Sequence, residues 1–148
     1  VEVIASHFIT ERTLGGYLLH KTGPAHDDFS EPYPFYINPA EGHILYGKPV
    51  AVLANRHTYS AANNFVQVMK SLPQVTIIGD RTGGGAGLPF TSELPNGWGV
   101  RFSASPHLDA EKNHIEFGIE PDIKIDLTSL TLHDDIIEEA RKTLKKMQ

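Results

Sequence analysis

The sequence predicts a single α/β domain that combines a parallel βαβ core with an antiparallel hairpin. Two nearly continuous apolar runs, 48–55 and 75–79, flank a stretch with helical periodicity at 61–72. Buried parallel strands joined by a crossover helix have this pattern. Apolar and polar residues also alternate on both sides of the Pro-Asn-Gly sequence at 95–97, which is typical of a hairpin turn.

The strands outside the βαβ unit are predicted from aromatic and β-branched runs separated by turn residues. Pro34 restricts the run YPFYI to a sheet edge, because proline cannot donate to a strand ladder. These strands are expected at 13–22, 33–37, 88–94, 98–105 and 123–127.

Amphipathic helices are predicted at both ends of the chain. The opening helix has an apolar stripe formed by Val1, Ile4, Ala5, Phe8 and Ile9. The C-terminal helix has Asp134 and Asp135 in its first turn and lysines in its last turn, and Thr131 is its expected N-cap. Its apolar stripe is formed by Leu132, Ile136, Ile137, Ala140 and Leu144.

Composition and charge narrow the classes of function. With 148 residues and 40% hydrophobic content, the chain is interpreted as one domain over 1–148 with its own core. The absence of cysteine excludes disulfides and a cysteine nucleophile. A net charge of -5 without a clustered basic face argues against a nucleic-acid partner. No apolar run reaches the roughly 18 residues of a membrane span. No histidine pair has zinc-binding spacing, so no metal or cofactor is expected.

Ser60 stands between the strand-like run that ends at Asn55 and the helix that follows. Serine at a helix start is ordinarily an N-cap, whose hydroxyl accepts a hydrogen bond from a backbone amide. The alternative is catalysis, because the hydroxyl would lie at the carboxyl edge of a parallel sheet, where ligands bind. The amide of Ala61 at the helix N-terminus would then be placed to donate to an oxyanion. A nucleophilic serine also requires a base that accepts its proton.

The glycine-rich stretch 83–87 has two interpretations. A phosphate-binding loop would open a helix and carry a Gly-Lys-Ser/Thr signature, whereas here an alternating strand follows. Gly83, Gly84 and Gly85 are therefore interpreted as substrate-binding residues, in a backbone loop that an extended peptide can approach closely.

Residues 48–127 together resemble the catalytic half of the tail-specific (carboxyl-terminal processing) serine proteases. The resemblance depends on motifs that occur in the same order, namely the strand to Asn55, the serine segment, Gly79-Asp80, the loop from Thr82 to Ala86 and the GIEPD signature from Gly118 to Asp122. The nucleophile of that family falls on Ser60. The resemblance implies a serine endopeptidase with a crotonase-like/ClpP-like α/β fold.

The sequence departs from that family at one catalytic position. The family lysine falls on Gly85, so a Ser-Lys dyad is not expected there. Lys48 and Lys70 are not substitutes, and Lys70 is interpreted as a solvated charge near the end of the helix. A tricorn-like subset of the family uses a histidine and a glutamate instead. Resemblance to that subset makes Glu116 the candidate glutamate, with Glu120 as the rival.

The resemblance places the catalytic histidine in a segment N-terminal to this sequence. The chain is accordingly interpreted as an N-terminally truncated fragment that is inactive alone. His57 is nearest in sequence to Ser60 but is interpreted as a loop residue. His107 and His114 would reach the site only if tertiary folding brought them there.

Location, partners and an alternative function also follow from the resemblance. Relatives are exported to the bacterial periplasm or cell envelope, which implies an extracytoplasmic location and a protein or peptide substrate. Loss of the lysine favours the alternative of a non-catalytic ligand- or peptide-binding module on the same fold, as in the retinoid-binding relatives. A face left open by missing upstream strands predicts a homodimer or strand exchange.

Overall fold

The computed structural model describes residues 1–42, 44–125 and 134–147. Within them, a short α-helix α1 (Glu2–Ala5) continues into a 3₁₀ turn (Ser6–Phe8), and two longer helices follow, α2 (Ala61–Lys70) and α3 (Asp135–Lys146). The strands are β1 (Thr13–Leu18), β2 (Tyr33–Ile37), β3 (Val50–Ala54), β4 (Val75–Gly79), β5 (Phe90–Glu93), β6 (Gly99–Phe102), β7 (His107–Leu108) and β8 (Ile123–Lys124). The prediction of a mixed α/β fold is confirmed.

The parallel sheet has the order β3-β4-β8, and α2 connects β3 to β4. Its two faces are covered by different helices. Ile77 belongs to the same buried cluster as Val66 and Met69 of α2, whereas the adjacent Ile78 packs with Ile136 and Ala140 of α3. Successive side chains of a strand point to opposite faces, so covering both faces requires the continuous apolar run seen in the sequence.

A second sheet has the order β2-β1-β7 and is antiparallel. The strand β2 that contains Pro34 lies at its edge, as predicted. Gln67 of α2 joins the two sheets, because its Nε2 donates to Gly15 O and Leu108 O, at 2.8 Å each. This contact fixes α2, and therefore the residue at its start, relative to β1 and β7.

The remaining antiparallel pair is the predicted hairpin, in which β5 and β6 pair from Phe90↔Phe102 to Glu93↔Gly99. Gly97 N donates to Leu94 O at 2.8 Å and closes the turn. The rings of Phe90 and Phe102 lie edge to face with centroids 4.1 Å apart. Both strands are shorter than predicted.

Two predictions about the helices are wrong. The opening segment forms one α-helical turn and one 3₁₀ turn, and only Ala5 and Ile9 of its predicted stripe are buried. The N-cap of α3 is Asp134, whose Oδ1 accepts from the amides of Ile136 and Ile137. Aspartate caps as well as threonine does and also favours the positive end of the helix dipole. The expected cap Thr131, the stripe residue Leu132 and the strand end Leu127 lie outside the described residues.

No helix within 1–42, 44–125 or 134–147 combines the length and apolar character needed to cross a bilayer.

Candidate active site

Ser60 begins α2 in an unusual backbone conformation, with φ 58° and ψ -122°. A positive φ is costly for a residue with a Cβ, by about 1–3 kcal/mol, and such strain persists only where surrounding contacts impose it. Here the amide of Ser60 donates to Gly84 O at 2.8 Å, and Ser60 O accepts from Asn64 N at 3.0 Å. The residue is therefore fixed from both sides.

The hydroxyl of Ser60 does not cap the helix. Its side chain accepts no capping hydrogen bond, and the residue is exposed. The interpretation of Ser60 as an ordinary side-chain N-cap is therefore wrong. The hydroxyl is therefore not engaged in capping, on a residue that is exposed to solvent.

The first amides of α2 belong to the residues that directly follow Ser60. Ala62 N donates to Tyr59 O at 3.2 Å, whereas Ala61, as the first helical residue, has no acceptor within the helix. Ala61 is exposed. Its N–H lies at the positive end of the helix dipole, the arrangement that favours an oxyanion.

The glycine loop lies between the serine segment and the segment that contains Glu116. Gly83 N donates to Thr58 O and Gly85 N donates to Glu116 O, each at 2.9 Å, while Gly84 O accepts from Ser60 N. The loop thus links the Ser60 segment to the Glu116 segment through backbone hydrogen bonds. These three backbone groups already have protein partners, so the loop fixes the position of Ser60 relative to Glu116. Its contact with a substrate stays a prediction.

Gly85 carries no side chain, and its neighbour fills the space that one would need. A Cβ built at Gly85 would lie 2.1 Å from Cζ of Tyr59. A lysine there would therefore require the exposed Tyr59 ring to turn outward. The environment of this position agrees with the absence of the family lysine.

A buried polar network connects the start of α2 to Thr82 and to the segment before and after Glu116. Asn63 is fully buried; its Oδ1 accepts from Thr82 Oγ1 at 2.6 Å and its Nδ2 donates to Ile115 O at 3.1 Å. Thr82 Oγ1 also accepts from Ile119 N at 2.6 Å. Sequence reasoning missed the role of Asn63, although an amide on the buried face of an amphipathic helix is itself a signal, since buried polar groups require partners.

The two candidate glutamates differ in their surroundings. The carboxylate of Glu116 is half-buried and accepts from Ser103 Oγ at 3.2 Å through Oε1, while Oε2 is buried without a hydrogen-bond partner among the described residues. Glu120 is exposed and pairs with Arg81 at 3.4 Å. Glu116 also bonds directly to the glycine loop that holds Ser60, because its carbonyl oxygen accepts from Gly85 N.

Lys70 is exposed, as the sequence predicted, but its ammonium also has protein partners. Its Nζ lies 2.8 Å from Asp122 Oδ1 and 2.7 Å from Glu120 O, so it ties the end of α2 to the GIEPD signature. Lys70 is the last residue of α2, at the opposite end of the helix from Ser60. Its contacts give it a structural role.

Within the described residues, none of the histidines has a hydrogen bond to Ser60. His57 is exposed in the turn before Ser60, where its amide donates to Asn55 Oδ1 at 2.9 Å. His107 is buried in β7, and its Nδ1 lies 3.4 Å from Nδ2 of Asn64 on α2. Burial lowers the pKa of His107 below its ordinary value of 6.5. His114 is exposed, and His43 lies outside the described residues.

In the part of the chain that the structure describes, no group of three or more histidine or acidic side chains is placed to hold a metal ion.

Comparison with known families identifies the family of the chain. The model of peptidase family S41 matches residues 3–125. The chain therefore belongs to peptidase family S41, and the predicted resemblance is confirmed at that level.

Solved structures extend the comparison. A candidate peptidase from Parabacteroides merdae ATCC 43184 is 54% identical with a TM-score of 0.92, and the match covers 97% of this chain and 46% of that one. Mature CPAF complexed with lactacystin is 28% identical with a TM-score of 0.62, over 80% of this chain and 24% of that one. A photosystem II D1 C-terminal processing protease, 21% identical with a TM-score of 0.57 over 97% and 34% of the two chains, shares the fold.

A protein of Chlamydia trachomatis serovar D is 29% identical over 126 residues, which is 80% of this chain and 21% of the relative. The present chain thus spans about a fifth of this relative and less than half of the Parabacteroides protein.

Proposed function

We propose that this chain supplies the nucleophile of a serine-type peptidase. In this proposal Ser60 attacks the scissile carbonyl, the Ala61 amide donates to the oxyanion, and Glu116 orients or assists the base. The leaving amine takes the proton that the base removed from Ser60, and water then hydrolyses the acyl-enzyme. The single observation that supports it best is that Ser60 is exposed and its hydroxyl does not cap the helix, although the residue lies on a strained turn at the helix start, as in the nucleophile elbows of other hydrolases.

The base in this proposal is a histidine outside the 148 residues. Two described observations favour this: His57 and His114 are exposed without a bond to the site, and His107 is buried against Asn64. The Gly85 environment supports the absence of a Ser-Lys dyad. We therefore propose one domain unit over 1–148, of crotonase-like/ClpP-like type, that completes its site only in the full-length protein.

A fluorophosphonate probe on the full-length protein tests the nucleophile. We expect stoichiometric labelling at Ser60, loss of labelling in Ser60→Ala with an unchanged circular dichroism spectrum, and normal labelling in the control Ser92→Ala on the exposed hairpin. Glu116→Gln should slow labelling about 100-fold or more, since a base left without its orienting carboxylate loses most of its efficiency. Labelling that survives Ser60→Ala would disprove the assignment.

CPAF offers a second probe, since a solved structure contains it with lactacystin. We expect preincubation with lactacystin to protect Ser60 from the fluorophosphonate in a concentration-dependent manner. Full labelling at saturating lactacystin would count against a CPAF-like acylation site.

A non-catalytic binding module is the second candidate function. It is favoured by the missing lysine and by the Tyr59 ring that occupies its place. This candidate predicts an unlabelled Ser60 together with tight binding of an apolar ligand or peptide, which fluorescence titration with retinol and with unstructured peptides would measure.

Location and assembly complete the proposal. We propose an extracytoplasmic protein that acts on protein or peptide substrates and that forms homodimers or exchanges strands. Fractionation of cells expressing the full-length protein tests the location, and light scattering tests the assembly; a cytosolic monomer would contradict both.

A further inference from the structure

The carboxylate of Glu116 lies between the base of the hairpin and the glycine loop, and its two oxygens differ. Oε1 accepts from Ser103 Oγ at 3.2 Å. Oε2 is buried and has no hydrogen-bond partner within the described residues. A buried carboxylate oxygen without a hydrogen-bond donor destabilises the folded protein, so a functional reason for this arrangement is expected.

Gly87 is the neighbour that makes room for this pair. A Cβ at Gly87 would lie 2.6 Å from both Cβ and Oγ of Ser103 and 3.2 Å from Glu116 Oε2. The φ of Gly87 is not positive, so the lack of a side chain matters here for space and not for backbone conformation.

The backbone of Gly87 also determines where Ser103 lies. Gly87 O accepts from Ala104 N at 2.9 Å and from Ser105 N at 3.0 Å. These two bonds hold the segment that follows β6 against the end of the glycine loop. Ser103, the residue before Ala104, is thereby brought beside the carboxylate.

We propose that Ser103 is a positioning residue for Glu116 and that Gly87 preserves the space in which the two meet. By donating to Oε1, Ser103 fixes the plane of the carboxylate, so that Oε2 is the oxygen left to accept one N–H. The inference rests on the proposed function, because it assigns Glu116 an orienting role toward the base.

Kinetics of the full-length protein with a peptide substrate test this role. Ser103→Ala should lower kcat about 10-fold with little change in KM, because a hydrogen bond to a charged group is lost without removing a substrate contact. Ser103→Thr retains the hydroxyl and should restore kcat. The matched control is Ser92→Ala, an exposed serine on β5. An unchanged kcat in Ser103→Ala would overturn the proposal, as would a Thr variant no better than the Ala variant.

Gly87 provides a second, independent arm. Gly87→Ala should destabilise the protein and lower kcat. Combining Gly87→Ala with Ser103→Gly should restore stability, because the Ser103 Cβ and Oγ that the added methyl group would contact are then absent. That double variant should not regain kcat. Recovery of both stability and kcat would show that Ser103 only fills space.

A readout that does not depend on activity separates this inference from the proposed function. Crystal structures of wild type and Ser103→Ala should show the Glu116 carboxylate rotated away from its wild-type plane in the variant. An unchanged carboxylate defeats the positioning role, whatever the activity. An unlabelled Ser60 in wild type defeats the proposed function instead.

Discussion

The α-carbon of Gly84 lies against the carbonyl of Glu116, so closely that a Cβ there would stand 2.0 Å from Glu116 O. The carbonyl oxygen of Gly84 also accepts a hydrogen bond from the amide of Ser60. One residue without a side chain therefore sets the spacing between the Ser60 segment and the Glu116 segment.

Gly84→Ala should consequently destabilise the fold by about 3–4 kcal/mol, since the added methyl meets backbone that has no room to move. The matched control is Gly97→Ala in the hairpin turn. Gly97 has a similar φ, 83° against 74° for Gly84, but nothing lies within 4 Å of its added Cβ. Gly97→Ala should lower the free energy of unfolding by only about 1 kcal/mol, the cost of placing a residue with a Cβ at a positive φ. Urea unfolding of both variants measures the difference, and equal losses would contradict the contact.

Thr82→Val should remove the hydroxyl that joins Asn63 to Ile119. The change nearly preserves side-chain shape but leaves the Asn63 Oδ1 and the Ile119 amide without this partner. The expected loss is about 2–3 kcal/mol, the cost of unsatisfied buried polar groups. Thr91→Val, on the exposed strand β5, should change stability by less than about 0.5 kcal/mol. Denaturant midpoints at constant m-value provide the measurement, and similar effects at both sites would refute the network's importance.

Elements with a strong local pattern were predictable from the sequence. The βαβ unit follows from two apolar runs around an amphipathic helix, and Pro34 placed β2 at an edge correctly. The strand β7 was not predictable, because it has only two residues and its strand partners, Tyr17 and Leu18, are distant in sequence. The opening helix was overestimated because periodicity alone does not reveal which of its apolar residues will find a partner.

The place of Ser60 at the start of α2 was predictable from the sequence, but its backbone geometry was not. A serine at φ 58° leaves no trace in the sequence, since glycine is the residue expected at a positive φ. Glu116 was chosen over Glu120 by resemblance, and its bond to the glycine loop required the structure. Ser103 was missed altogether because its contact spans 13 residues with no shared motif.

Asp122 should matter more to stability than its ion-pair partner Lys70. Asp122 Oδ2 accepts the backbone amide of Ile77 at 2.7 Å, while Oδ1 pairs with Lys70 at 2.8 Å. The pair is partly exposed, so Lys70→Met should cost only about 0.5 kcal/mol. Asp122→Ala also removes the acceptor of an amide in the central strand, and should cost about 1–3 kcal/mol.

Thermal and urea unfolding of these two variants provide the comparison, and Glu138→Ala, which breaks the exposed pair with Arg141 on α3, serves as the surface control. The ordering Asp122→Ala, then Lys70→Met, then Glu138→Ala tests the assignment. A Lys70→Met variant as unstable as Asp122→Ala would show that the ammonium does more than close a surface pair.

His107 should make the fold less stable in mild acid. Burial lowers its pKa below 6.5 in the folded protein, whereas the unfolded chain takes up the proton near the ordinary value. Below pH 6.5 the unfolded state therefore binds more protons, and stability falls as the pH drops from there through the lowered folded pKa. Within that window the contribution is at most about 1.4 kcal/mol per pH unit.

The measurement is the free energy of unfolding from pH 8 to pH 5 in wild type, His107→Gln and the exposed control His114→Gln. Carboxylates contribute equally to all three proteins, so the differences isolate each histidine. His107→Gln should be less stable than wild type at pH 8 because the buried ring is lost, yet its curve should be flatter below pH 6.5. Parallel curves for wild type and His107→Gln would contradict a lowered pKa for the buried imidazole.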